Sequence, residues 1–143
     1  MNEKIESHSP EDTWAVGRRI AERLAKGGVA WLVGPLGAGK TLLAKAIFEA
    51  LGADPQRVTS PTFTLMNRVR AASREAPALW HLDLYRIERP AELESLGLEE
   101  VFDGGAVTLV EWGERLGGFY GRPDLVIEIE DLGLDSRLIQ VRE

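Results

Sequence analysis

Cysteine is absent from the 143 residues. That excludes disulfides, thiolate metal sites and cysteine nucleophiles, and it suits a cytoplasmic protein. No apolar run reaches the length of a membrane span, and the stretch Met1 to Pro10 is polar, without a signal-peptide core. A basic excess is missing as well: 17 Lys and Arg stand against 23 Asp and Glu, a net charge of −6. A direct nucleic-acid binder ordinarily carries the opposite balance, so any role with RNA is expected to run through a partner. There are only 2 histidines, His8 and His81. His81 alternates with Trp80 and Leu82 and reads as a packed or hydrogen-bonded side chain rather than a metal ligand. No linker, internal repeat, low-complexity segment or Asn-Lys-x-Asp guanine-recognition motif occurs.

What remains is an ordinary globular balance, 44% hydrophobic and 28% charged residues, in a chain long enough for one domain with a core, spanning 1–143. The chemistry concentrates in Gly34-Pro35-Leu36-Gly37-Ala38-Gly39-Lys40-Thr41, which fits the phosphate-binding loop G-x-x-x-x-G-K-[ST] at every fixed position. An apolar run with the length of a buried strand, Val29 to Val33, precedes it. A helical pattern from Thr41 to Leu51 follows, closed by Gly52 at the C-cap. Glycines let successive backbone N–H groups turn toward phosphate oxygens, and the helix N-terminus adds its partial positive charge. Lys40 reaches terminal phosphates, and the Thr41 hydroxyl supplies a magnesium ligand.

Around this loop the chain predicts an α/β fold, a P-loop NTPase-like domain with a central mostly parallel or mixed sheet flanked by helices. Ser9-Pro10-Glu11-Asp12 starts a helix with Ser9 as N-cap, and Trp14, Gly17, Ile20, Ala21 and Leu24 form its packing face up to Gly27-Gly28. Ser9 or Thr13, one element upstream of the loop, is placed to touch a nucleotide base. The hydroxyl-rich Val58 to Thr64 segment reads either as a phosphate- or magnesium-sensing switch or as a Ser/Pro turn. Strands over Phe63–Ala71 and Pro77–Leu84 follow as a hairpin or a strand pair with a longer loop, the second carrying Asp83 near its end. Short helices are expected at Pro90–Leu96 and Leu98–Phe102, a buried strand at Ala106–Val110 ending in Glu111-Trp112, and a short helix with a loop from Trp112 to Arg122. The strands Asp124–Glu130 and Arg137–Arg142 are expected to form a hairpin at the sheet edge, joined by a turn at Leu132-Gly133 and Asp135-Ser136. Arg137 is their one candidate nucleotide contact. Asp83 and Glu111 both lie at strand ends, and either is suited to order magnesium or the attacking water. Trp112 either covers the phosphate site or joins the core.

Together with the loop, Ser60-Pro61-Thr62-Phe63-Thr64-Leu65, His81-Leu82-Asp83-Leu84-Tyr85-Arg86 and Leu109-Val110-Glu111-Trp112, in this order in so short a chain, resemble the TsaE family. These are the bacterial ATPases of tRNA threonylcarbamoyladenosine biosynthesis. The resemblance implies a cytoplasmic protein that binds and hydrolyses ATP with Mg2+, weakly when alone. It also implies association with TsaB and with TsaD, which transfers the threonylcarbamoyl group to an adenosine beside the anticodon. tRNA would be met only through that complex. By the same resemblance Lys40, Asp83 and Glu111 are catalytic, and Thr41, Asp83 and Glu111 handle the metal. The nucleotide would be held by Leu36, Gly37, Ala38, Gly39, Lys40, Thr41, the switch residue Thr62, Trp112 and Arg137, with Ser9 and Thr13 near the base. Two positions depart from the family pattern: Pro35 stands where an acid is frequent, and Leu42 where a second Thr is frequent. The other readings open to this loop are a small P-loop kinase and a non-catalytic ATP-gated binding module.

Overall fold

The run before the glycine loop forms β2 (Gly28–Val33), in the middle of a seven-stranded mixed sheet. The computed structural model describes residues 2–35, 37–58, 66–72, 76–102, 105–116, 118 and 120–143. The sheet also contains β1 (Glu3–Ser7), β3 (Met66–Val69), β4 (Leu79–Asp83), β5 (Val107–Glu111), β6 (Leu125–Gly133) and β7 (Ser136–Arg142), and its order is β1-β7-β6-β2-β5-β4-β3. β6, β2, β5 and β4 run parallel, with Leu32 opposite both Glu111 and Ile127, and Asp83 opposite Glu111. β1 and β6 flank β7 antiparallel, and β3 is antiparallel to β4.

β5 is buried along its whole length, as expected of a parallel strand covered on both faces. One face carries Leu32, Leu109, Ile127 and Ile139 against α1 (Pro10–Leu24) and α2 (Lys40–Ala50). The opposite face carries Leu82 and Val110 against Leu84, Leu93, Leu98 and Val101 from the segment after β4. Each fully buried Leu or Ile contributes about 1.5–3 kcal/mol. The two helices cross closely at Gly17, where an added Cβ would lie 2.4 Å from the Ala46 Cβ. Trp14 Nε1 donates to Glu49 across the same contact. α1 starts as expected, with the Ser9 hydroxyl accepting the Asp12 N–H at 3.1 Å.

Several local expectations change. β1 was not anticipated: among Glu3, Lys4, Ile5 and Glu6 only one residue is strongly apolar, and the strand exists because its backbone pairs with β7. The β6–β7 pair is therefore not an edge hairpin. β6 is bonded to β2, β1 caps β7, and the turn narrows to Leu134-Asp135, both with positive φ. Pro90–Leu96 is a 3-10 helix, opened by the Glu92 carboxylate accepting the N–H groups of Glu88 and Arg89. Leu98–Phe102 is a turn closed by N–H bonds from Val101 and Phe102 to the Leu98 carbonyl. A segment this short gains too few bonds to propagate a helix. Of the first hairpin strand, Phe63 to Leu65 lie outside the described residues.

Candidate nucleotide and catalytic site

The carboxyl ends of β2, β5 and β4 lie side by side, the position where open α/β sheets bind ligands. A cavity of about 300 Å³ sits there, lined by Gly37, Gly39, Lys40, Thr41, Leu42, Asp83, Glu111 and Trp112. The sheet register thus brings most of the expected site residues into one place. Another cavity, about 410 Å³, lies at β3, lined by Arg68, Arg70 and their neighbours. It holds no carboxylate among the described residues and sits at the opposite end of β4.

The loop has the backbone its glycines permit. Gly37 and Gly39 have φ of 79° and 107°, and Gly39 caps α2 with no side chain bonded to the first-turn N–H groups. Those donors lack the usual cap oxygen, which is the condition for an anion to take its place. At Gly34 a Cβ would meet the Ile129 carbonyl oxygen at 2.5 Å, so the strand-to-loop exit accepts only glycine. Arg137 supports the loop from β7: its Nε donates to the Ala38 carbonyl at 2.9 Å, and its Nη1 donates to Asp131 at 3.0 Å.

Lys40 is 5% exposed. Its Nζ donates to the Gly34 carbonyl at 2.5 Å and lies 4.1 Å from the centroid of a Trp112 ring. Burial pulls its pKa below the usual lysine value, and the nearby Glu111, Asp83 and Glu114 only partly oppose this. Trp112 adopts φ 62°, an unusual backbone for a bulky residue. The next residue, Gly113, packs on the Trp31 indole so closely that a Cβ would sit 2.3 Å from its Cγ. The turn sets the Trp112 indole over Lys40, and Arg115 stacks on Trp112 with Cζ 4.9 Å from a ring centroid. Arg115 also donates to the Tyr85 carbonyl, tying this layer to the end of β4.

The two acids are neighbours on one face of adjacent strands but differ in setting. Glu111 is 3% exposed, and its Oε2 lies 2.7 Å from His81 Nε2. Asp83 is half-buried, and its Oδ1 accepts the Tyr85 N–H at 3.0 Å. Burial, reinforced by Glu111 and opposed by that N–H, raises the Asp83 pKa above the usual carboxylate range. A carboxyl whose folded pKa lies above its unfolded one contributes stability at low pH and loses it as pH rises through the folded value. Asp83→Asn is therefore expected to raise the melting temperature of the free protein at pH 7. Its lead over the parent should shrink as pH falls through the Asp83 pKa, as followed by circular dichroism.

The donor set also bears on a metal. Thr41, Asp83 and Glu111 offer only oxygen, which suits a hard divalent cation such as magnesium. Among the described residues no group of three or more His, Asp or Glu side chains forms a closed metal cage. Magnesium held by one or two carboxylates and substrate phosphates needs none. The cavity sets one lysine against two carboxylates, so a polyphosphate entering alone meets net repulsion that a divalent cation removes.

Not every expected residue converges here. The Ser9 hydroxyl is engaged in the helix cap. Thr13, 4% exposed, has its hydroxyl 2.6 Å from that of the buried Ser7, which also donates to the Ser9 carbonyl. Neither residue lines the cavity. Ser7 is paired with Arg137 across β1 and β7, and Arg137 in turn bonds the loop at Ala38. Leu36 and Thr62 lie outside the described residues. The partnership of His81 with Glu111 was missed. Its only trace in the sequence is the matched position of the two residues near the ends of two strands whose register is not written locally.

A family model for "Threonylcarbamoyl adenosine biosynthesis protein TsaE" matches residues 7–139. A "tRNA threonylcarbamoyladenosine biosynthesis protein TsaE" of Mycobacterium tuberculosis is 40% identical over 126 residues, covering 84% of this chain and 74% of the relative. The protein of the same name from Bacillus subtilis is 39% identical over 131 residues, covering 92% and 79%. Among solved structures, the crystal structure of Bacillus subtilis YdiB is similar with a TM-score of 0.74 at 32% identity, covering 99% of this chain and 84% of that one.

Proposed function

The chain belongs to the TsaE family, and on that premise we propose that it is the magnesium-dependent ATPase of tRNA threonylcarbamoyladenosine biosynthesis, acting with TsaB and TsaD. The observation that carries this reading is the convergence of Lys40 and Thr41 with Asp83 and Glu111 in one cavity at the sheet's carboxyl edge. In the proposed mechanism the backbone donors of the loop hold the phosphates, and Lys40 leaves the Gly34 carbonyl to pair with a terminal phosphate oxygen. Thr41 and Asp83 would hold magnesium, which would supply charge neutralisation at the phosphates. Glu111 orients the attacking water and accepts its proton, so that ATP and water yield ADP and inorganic phosphate. Trp112 covers Lys40 and keeps bulk water away from it. Arg137 holds the loop's Ala38 carbonyl from behind, and Thr62 is assigned to sensing the terminal phosphate. Tyr85 and Arg115 brace Trp112. ATP is favoured over GTP because the guanine motif is missing. Among the described residues no helix is long and apolar enough to cross a membrane, and the work is assigned to the cytoplasm.

The test is phosphate release from ATP with and without TsaB and TsaD, with every product assayed for label from the γ-phosphate. Release as inorganic phosphate, rising when both partners are present, is the expected result. Label on a small acceptor would mark a kinase, and binding without turnover in every mixture would leave a gated binding module.

A further inference from the structure

At the centre of the site two side chains touch in a way the proposed mechanism leaves unused. His81 and Glu111 are 1% and 3% exposed, and the imidazole Nε2 lies 2.7 Å from the Glu111 Oε2. Register builds the contact. β4 and β5 run parallel with His81 opposite Leu109 and Asp83 opposite Glu111. Since alternate residues of a strand share a face, His81, Asp83 and Glu111 all project to the side of α2. Phe48 of that helix meets the imidazole edge-on, with centroids 5.9 Å apart. The ring is therefore held between a strand and a helix, with one nitrogen on the carboxylate.

The other nitrogen identifies the tautomer. His81 Nδ1 is buried and has no hydrogen-bond partner among the described residues. A proton on Nδ1 would bury an unpaired N–H and set the bare Nε2 lone pair against a carboxylate oxygen, two unfavourable terms at once. A proton on Nε2 removes both, and the ring then donates to Glu111. Among the described residues no hydrogen bond occupies the second Glu111 oxygen, so the carboxylate is gripped on one side and open on the other.

We propose that His81 is a positioning residue: its Nε2–H fixes the Glu111 carboxylate so that the second oxygen is presented to the water that attacks the nucleotide. The proposal rests on the ATPase reading above and adds to it a residue that touches neither nucleotide nor metal. A glutamate side chain has three rotatable bonds, and a base displaced by about 1 Å loses on the order of a hundredfold in rate. A single buried donor is an economical way to hold it.

The test compares two amides of different reach, His81→Gln and His81→Asn, under conditions in which the wild-type protein turns over. The Gln amide nitrogen reaches the place of Nε2, whereas the Asn amide reaches only that of Nδ1. His81→Asn should lower kcat by about 10–100-fold, as removal of an orienting partner does, with KM for ATP nearly unchanged. His81→Gln should restore most of the turnover. Equal loss in both variants, unchanged kcat in His81→Asn, or a loss expressed in KM alone would overturn the proposal. Nitrogen-15 NMR of the wild-type protein supplies an arm that needs no turnover: the His81 signals should report a protonated Nε2 and a bare Nδ1. A bare Nε2, with the proton on Nδ1 alone, would overturn the hydrogen bond even if phosphate release were normal. A wild-type protein that never releases phosphate would sink the ATPase reading while this spectrum still decides the contact.

Discussion

Lys40→Ala should weaken nucleotide binding by about thirtyfold or more. Lys40 is 5% exposed, and its ammonium lies near Glu111 and Asp83 in the cavity that the phosphate loop borders. A phosphate there forms a charge-assisted bond out of bulk water, and truncating one partner of such a pair costs about 2–5 kcal/mol. At about 1.4 kcal/mol per decade that is roughly thirtyfold to several thousandfold in affinity. The fold should survive. Burial already lowers the Lys40 pKa, so removing the side chain relieves a desolvation cost while losing one bond to the Gly34 carbonyl and its contact with Trp112. Calorimetric titration with ATP and magnesium, alongside a melting curve, reads both effects. A folded Lys40→Ala protein with parental affinity would show that the phosphates lie elsewhere.

Glu111→Gln should separate binding from chemistry. The amide keeps the length of the side chain and an oxygen to accept the His81 N–H, but it cannot take a proton from water. Loss of a positioned general base costs typically about 10²–10⁴-fold in rate. The expected outcome is a kcat lower by that range with nucleotide affinity within a few fold of the parent. The contrast with Asp83→Asn then becomes informative. Asp83 is half-buried and already spends one oxygen on the Tyr85 N–H, which suits it to the magnesium side. Its replacement should weaken the response to magnesium more than Glu111→Gln does. Normal turnover in Glu111→Gln would remove Glu111 from the chemistry.

The phosphate loop was legible in the sequence because its requirements are local: glycines at fixed spacing, one Lys, one Thr, a strand before and a helix after. The strand-end acids were legible for the same reason, although their division of labour was not. What sequence could not supply depends on contacts between distant segments. Ile5 alone does not announce a strand, and β1 exists through its ladder to β7 at the other end of the chain. Gly113 meets Trp31, far away in sequence, beside the left-handed backbone of Trp112. Trp112, open in the sequence between cover and core, does both: its ring lies over Lys40 and packs against the cluster around Leu82, Leu84 and Val110. The contact between His81 and Glu111 spans 30 positions and appears only when the register of β4 on β5 is known. Ser9 was correctly read as a helix cap. That bond and the Ser7–Thr13 pair occupy the hydroxyls that were expected near a base.

The central claim is that this cavity delivers water to the terminal phosphate of ATP. The most direct measurement is turnover in oxygen-18 water with magnesium, TsaB and TsaD, followed by mass analysis of both products. The account predicts one heavy oxygen in the released inorganic phosphate and none in ADP, with no product from Lys40→Ala. Heavy oxygen in ADP, or γ-phosphate recovered on an acceptor instead of as free phosphate, would contradict it.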